Sequence, residues 1–219
     1  MTANYEIPYE KVVYFPGVVD DIDTLIEKIE STNSIAVSPW GLWYASSDVN
    51  GHVYGELKSF NKGSIDQETD ADIKSDSEYV INKLISHMVD AVNTYAEIYS
   101  IDDKEKDYAI QALNQEGTRY GINKYYENQY MGPHVDWNDF NSDITYTIVV
   151  YLNDDYEGGE LYFVRPEIDI KIKPKAGSIV MFPSVEPYLH QSCDIPKGRK
   201  MLITHHWKND SKTKLQELI

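Results

Sequence analysis

From about residue 118 onward the chain breaks into short apolar runs of strand length, and this limits its fold more than any other feature. The runs fall at 119–126, 144–152, 160–164, 168–173, 178–182 and 200–207. Turn residues separate them: Asn153-Asp154, Gly158-Gly159, Pro174 and the stretch 196–198. Spacing this tight leaves no room for crossover helices, so the strands are expected to pair antiparallel. Ahead of them the period is helical. Ile22, Leu25, Ile26 and Ile29 share one helix face behind Asp20 or Asp21 as a cap. A longer helix is expected to open on a Ser75–Glu78 capping box and to carry Val80, Leu84, Met88, Ala91, Tyr95 and Ile98 on one side. Lys11 to Phe15 reads as a short strand ended by Pro16-Gly17, and the polar, acidic segment 38–74 as a rim or lid without clear periodicity.

Helices first and short strands afterwards predict an α+β fold, with helices buttressing a β-sandwich or barrel. One domain over residues 1–219 is expected, with 1–117 as helical support and lid region and 118–208 as the β core. An apolar content of 42% suits a packed core. The net charge of −16 repels phosphate backbones, so no nucleic-acid partner is expected. Runs such as Ile148 to Leu152 are too short to span a bilayer, so no membrane partner is expected either. The opening residues lack a basic start and an apolar stretch, and Cys193 is the only cysteine, which together favour a reducing, cytoplasmic setting. Oligomeric state is not encoded legibly.

The chemistry concentrates in Gly132-Pro133-His134-Val135-Asp136-Trp137. Side chains at i and i+2 of a strand share a side, so His134 and Asp136 can present an imidazole and a carboxylate together. A distant histidine would complete a 2-His-1-carboxylate triad with open positions for a co-substrate and O₂. His190 follows the Val180–Pro183 strand end, and Gly198-Arg199-Lys200 opens the next strand. A buried dicarboxylate needs a buried cation. Adjacent strand positions face opposite ways, so either Arg199 or Lys200 can enter a pocket, but not both. By the same parity one of His205 and His206 is expected in the core and the other exposed. His52 and His87 have no partner at ligand spacing.

In order along the chain stand Tyr125, His134–Asp136, Tyr151-Leu152-Asn153, Gly158-Gly159-Glu160-Leu161, Ala176-Gly177, Phe182-Pro183, His190 and Gly198-Arg199-Lys200. This succession resembles the 2-oxoglutarate/Fe(II)-dependent dioxygenase superfamily, within it the prolyl 4-hydroxylase-like branch. The resemblance implies a double-stranded β-helix (jelly-roll, cupin-like) core with N-terminal supporting helices. It implies Fe(II) held by His134, Asp136 and His190, with 2-oxoglutarate and O₂ as co-substrates and ascorbate as reductant. It places Lys200 on the far carboxylate of 2-oxoglutarate, with Arg199 the alternative, and brings in Tyr151 and Tyr125 around the same co-substrate; Thr147 shares strand parity with Tyr151 and is expected to line the same pocket. The implied reaction hydroxylates a second substrate while releasing succinate and CO₂.

Peptidyl proline is the leading substrate on that resemblance, with Trp137 and Arg165 as candidate rim residues and Trp40, Trp43 and Tyr44 as further aromatics. A free amino acid or small metabolite is the alternative, and a catalytically idle cupin-like binding protein a third. Two departures from the branch stand out. Ile144 occupies the position, seven before Tyr151, where peptidyl-proline hydroxylases commonly carry arginine, and Asn128 replaces a turn glycine, a position it tolerates because it accepts left-handed backbone angles.

Overall fold

The computed structural model describes residues 4–44, 53–137 and 144–208. In chain order the elements are β1 (Glu6–Tyr9), β2 (Val12–Phe15), α1 (Ile22–Ser31), β3 (Gly41–Tyr44), β4 (Val53–Asn61), α2 (Lys62–Ile65), α3 (Ala71–Tyr99) and α4 (Asp103–Asn114). There follow β5 (Arg119–Tyr125), β6 (Met131–His134), β7 (Ile144–Tyr151), β8 (Leu161–Phe163), β9 (Ile170–Ile172), β10 (Ser178–Pro183), β11 (His190–Ser192) and β12 (Lys200–Lys208). An eight-stranded sheet runs β1-β2-β10-β7-β12-β5-β4-β3, and a four-stranded sheet runs β6-β11-β8-β9. The strand pairs are antiparallel. This is the double-stranded β-helix, α+β architecture.

The central strands are buried on both faces, which is why they read as unbroken apolar runs. Their period of two sorts side chains into separate cores. Val13, Phe15, Ile148, Val150, Met181 and Ile203 meet Leu25 and Ile29 of α1 and Val80, Leu84 and Met88 of α3. Their neighbours Val12, Tyr14, Val149, Tyr151, Phe182 and Leu202 turn the other way, toward Leu161, Phe163 and Ile172 of the small sheet. The candidate site lies in this second, inter-sheet layer.

Four expectations need correction. The helix α3 begins at Ala71, with the Asp70 carboxylate accepting from the Asp72 and Ile73 amides, so Ser75 and Glu78 lie inside the helix and form no capping box. The segment 38–74 is not an aperiodic rim: it supplies β3 and the nine-residue β4. Its pattern hid because β4 places Lys58 at a fully buried position. Four of the eight strands in the large sheet therefore come from residues before 118, and the division at 117/118 is not a boundary within the sheet. The helix α4 had no counterpart in the sequence reading; it buries only Ala109 and Leu113. At the start of α1 the Asp21 side chain takes hydrogen bonds from Thr24 Oγ1 and Tyr79 OH and caps no amide.

Asn128 does adopt a left-handed backbone, with φ of 63°. His52 and the side chains of Tyr44 and Ile144 lie outside the described residues. Among those described, no helix is long and apolar enough to cross a membrane.

Candidate active site

Three side chains named from the sequence meet at one mouth of the sandwich. His134 ends β6, Asp136 lies in the bend just beyond it, and His190 begins β11. Pairing of β6 with β11 sets His190 directly opposite His134. The i and i+2 argument thus holds in outcome, although Asp136 has already left the strand. His134 Nε2 lies 3.5 Å from Asp136 Oδ1 and His190 Nε2 lies 3.6 Å from Asp136 Oδ2. One donor atom from each residue falls within 4.8 Å of the others. Among the described residues no other group of three or more His, Cys, Asp or Glu side chains has such a geometry.

The backbone orients both rings. His134 Nδ1 donates to the Gly132 carbonyl at 2.8 Å and His190 Nδ1 donates to the Tyr188 carbonyl at 3.1 Å. With Nδ1 protonated, each neutral ring turns the lone pair of Nε2 toward Asp136, as a metal-binding histidine requires. Asp136 is fixed in turn by the Thr147 hydroxyl, which donates to Oδ2 and lies 2.8 Å from Ser184 Oγ and 3.5 Å from His206 Nδ1.

Burial and charge act differently on the three groups. Burial opposes ionisation of Asp136, yet the imidazoles around it, His134 foremost and then His190 and His206, favour the carboxylate and hold it well below the usual carboxylate range. Burial lowers His190 to about 4, so its ring is neutral at physiological pH. Burial also pulls on His134, but the hydrogen bond and charge of Asp136 outweigh it and leave that ring above its ordinary value. Two neutral imidazoles and a carboxylate are a donor set that suits iron(II). Ligands about 2 Å from an ion at right angles lie about 3 Å apart, so the three groups need close by less than an ångström at their two nearer pairs.

A cavity of about 180 Å³ runs inward from the triad. At its far wall stands Lys200, only 1% exposed. Its Nζ donates to the Gly159 carbonyl at 2.8 Å and to Ser192 Oγ at 2.7 Å, and lies 5.4 Å from the ring centres of both Tyr125 and Tyr151. Gly159 reaches this position through a left-handed φ of 64°, where an added Cβ would strike the Tyr156 ring. All of these partners are neutral. Burial consequently lowers the ammonium from 10.5 to about 7, and an anion delivered to the cavity would reverse that. Burial also pushes the Tyr125 and Tyr151 phenols upward, keeping both as hydrogen-bond donors. Arg199 takes the opposite side of β12, 43% exposed and paired with Glu30 Oε1 at 2.9 Å.

The proposed rim residues lie elsewhere. Arg165 pairs with Glu186 at the surface, and neither it nor Trp137 lines the cavity; Trp137 donates its backbone amide to the Ser184 carbonyl. Trp40 packs on the helix side beneath Lys124. Trp43 does line the cavity, edge-on to Tyr54 and Tyr125. Sequence reasoning missed Asn123, Thr204 and His206, which line it too. Parity could have found His206, since it lies an even number of residues from Lys200. His205 is half-buried and stacks on Tyr120, so neither histidine has the simple core or solvent position expected of it.

Comparisons agree with this arrangement. Residues 120–208 match the profile of the 2OG-Fe(II) oxygenase superfamily. A PKHD-type hydroxylase of Crocosphaera subtropica is 36% identical over 64 residues, 29% of this chain and 28% of that one. Another, of Idiomarina loihiensis, is 33% identical over 106 residues, 46% of this chain and 48% of its own length. The chain therefore spans less than half the length of these curated relatives. A prolyl hydroxylase from Trichoplax adhaerens, solved with a hypoxia inducible factor peptide fragment, superposes with a TM-score of 0.59 at 12% identity, covering 94% of this chain and 86% of that one; this likeness is one of fold. Motif order, profile and fold point the same way: residues 120–208 match the 2OG-Fe(II) oxygenase superfamily, and the chain is similar in sequence to PKHD-type hydroxylases and in fold to a prolyl hydroxylase.

Proposed function

We propose that this protein is an Fe(II)- and 2-oxoglutarate-dependent dioxygenase that hydroxylates peptidyl proline and releases succinate and CO₂. The observation that carries the proposal is a pairing of two sites across one cavity. At one end His134, Asp136 and His190 offer three ligand atoms within 4.8 Å; at the other, Lys200 is a buried amine whose hydrogen bonds among the described residues go to neutral oxygens.

In this reading His134, Asp136 and His190 hold iron, and Lys200, Tyr151 and Tyr125 hold the far carboxylate of 2-oxoglutarate. Bound iron and co-substrate supply the oxidising chemistry, coupling decarboxylation of 2-oxoglutarate to insertion of oxygen into a C–H bond. The protein's share is positional. Gly132 and Tyr188 carbonyls keep each Nδ1 protonated and each Nε2 free to bind. Thr147 holds one Asp136 oxygen, limiting how the carboxylate can turn. The apolar walls Val149, Leu161 and Leu202 exclude water around the dicarboxylate, strengthening its attraction to Lys200. Trp43, at the cavity, is the aromatic surface best placed to meet a substrate ring. A peptide substrate, a single domain over 1–219, use of ascorbate and a cytoplasmic setting belong to the same proposal; the lone Cys193 supports the last.

The test combines the protein with iron(II), 2-oxoglutarate and a panel of proline-rich peptides. Iron-dependent succinate and a gain of one oxygen mass on a peptide are expected. Gain on free amino acids alone would move the substrate to small metabolites. Absence of succinate from every mixture would leave a binding protein and overturn the oxygenase assignment.

A further inference from the structure

The β5–β12 ladder runs from Tyr125–Lys200 to Gly121–Thr204 and stops. Beyond it β12 continues against β7 as far as Lys208, while Tyr120 and Arg119 of β5 remain paired with Phe60 and Asn61 of β4. The two strands part, and the end of α4 with the turn after it stands across the opening. A cavity of about 410 Å³ occupies the split. Thr204 and His206 line both this cavity and the catalytic one, so the two adjoin across the end of β12.

The chemistry of the cleft differs from that of the molecule around it. Acidic residues outnumber Lys and Arg 36 to 20 in the chain, yet none is among the described residues lining the cleft. Arg119, His205 and His206 are, alongside the neutral donors Gln115 and Thr204. Arg119 is exposed, and no ion pair joins it to another described residue. The carbonyls ending α4 would repel an anion if bare. They are engaged instead: Ala112 by Thr118 Oγ1 at 2.7 Å, Asn114 by Lys62 Nζ at 2.7 Å, and Leu113 by the Tyr120 hydroxyl. His205 is steadied by its stack on Tyr120, ring centres 5.6 Å apart. A guanidinium fork beside imidazoles, in a cleft without acids, is a receptor for a carboxylate.

We infer that this cleft is a second recognition site that takes an acidic side chain of the peptide substrate while the residue to be oxidised occupies the adjoining catalytic cavity. The inference rests on the oxygenase reading for the place of the reacting residue, but the carboxylate contact itself needs no turnover. Arg119 supplies the charge, and because it is exposed the attraction weakens as salt is raised.

The experiment measures equilibrium binding of fluorescent proline-containing peptides to the full chain with iron(II) and 2-oxoglutarate under anaerobic conditions. Peptides are paired, Glu against Gln, at each position flanking the proline. At low salt the Glu member of at least one pair is expected to bind roughly two- to fivefold tighter, the scale of one exposed charge-assisted contact. Arg119→Gln should erase the difference and Arg119→Glu should reverse the order. Equal binding within every pair, or a preference that survives Arg119→Glu, overturns the inference. So does a preference confined to free C-terminal carboxylates or to single amino acids. Because no reaction occurs, a failed succinate assay and a failed acidic preference remain separate results.

Discussion

The large sheet has two faces built from the same strands, and they treat buried charge in opposite ways. On the helix side, Lys58 and Lys124 are both buried, and both lie under the charge of one carboxylate, Glu30. Lys58 caps α1 by donating to the Ile29 carbonyl at 2.7 Å, and Lys124 pairs with Glu30 at 2.8 Å. On the inter-sheet side, Lys200 is as deeply buried but has no carboxylate among its described partners. Apolar side chains close the first face around α1 and α3, whereas the second retains a cavity with His190, Thr147 and Lys200 in its wall. A buried ion pair completed within the chain is structural; a buried cation left for an outside anion is a binding site. Since one residue of register separates the faces, a single slip of β12 would carry Lys200 into the helix core.

The largest break expected in this contrast is Asp136→Ala. It removes a ligand from the inter-sheet face while touching nothing on the other. Iron retention and succinate production should fall at least about a hundredfold, beyond the usual cost of losing an outer hydrogen-bond partner, with the thermal transition still cooperative. Retained iron at wild-type affinity, measured after dialysis, would show that the triad is not the metal site. The converse change is Ile203→Ala on the helix side. Ile203 is fully buried among the residues facing α1 and α3. Its truncation should cost about 2–5 kcal/mol in denaturant unfolding. Iron affinity should stay as it was; a parallel loss would mean that the faces are not mechanically independent.

How much of this was legible depended on what each stretch of sequence had to satisfy. The central strands β7, β10 and β12 were readable because burial on both faces demands apolar residues without interruption. His134, Asp136, His190 and Lys200 were readable because the proposed iron and dicarboxylate would admit few residue types, and parity separates Lys200 from Arg199. The strand β4 was not, since Glu56 is held by the Tyr126 hydroxyl and Lys58 by the end of α1, partners that only tertiary contact creates. Nor was α4, which offers solvent most of its surface. His206 hid behind its neighbour: parity gave one inward histidine, but not that the inward space was the catalytic cavity.

The finest test of the contrast is the pH dependence of 2-oxoglutarate binding. Desolvation lowers Lys200 from 10.5 to about 7 in the free site, so its charge is half lost near neutrality. The dianion binds the protonated form and raises its pKa, so binding above about 7 takes up a proton. Affinity should therefore be greatest below pH 7 and decline as pH rises through it, by no more than about tenfold per unit. Calorimetry in buffers of different ionisation heat measures both the affinity and the proton. Lys200→Arg, charged throughout, should flatten the decline. Stability carries the same signature with the opposite benefit. The cost of burying this ammonium is absent above pH 10.5, grows as pH falls, and is complete below about 7. Lys200→Met should consequently bind 2-oxoglutarate weakly yet melt higher than wild type, with the gain largest below pH 7 and fading toward alkaline pH. A wild-type affinity that does not change across neutrality would mean that Lys200 stays charged without its anion, and the distinction between the two faces would then rest on the cavity alone.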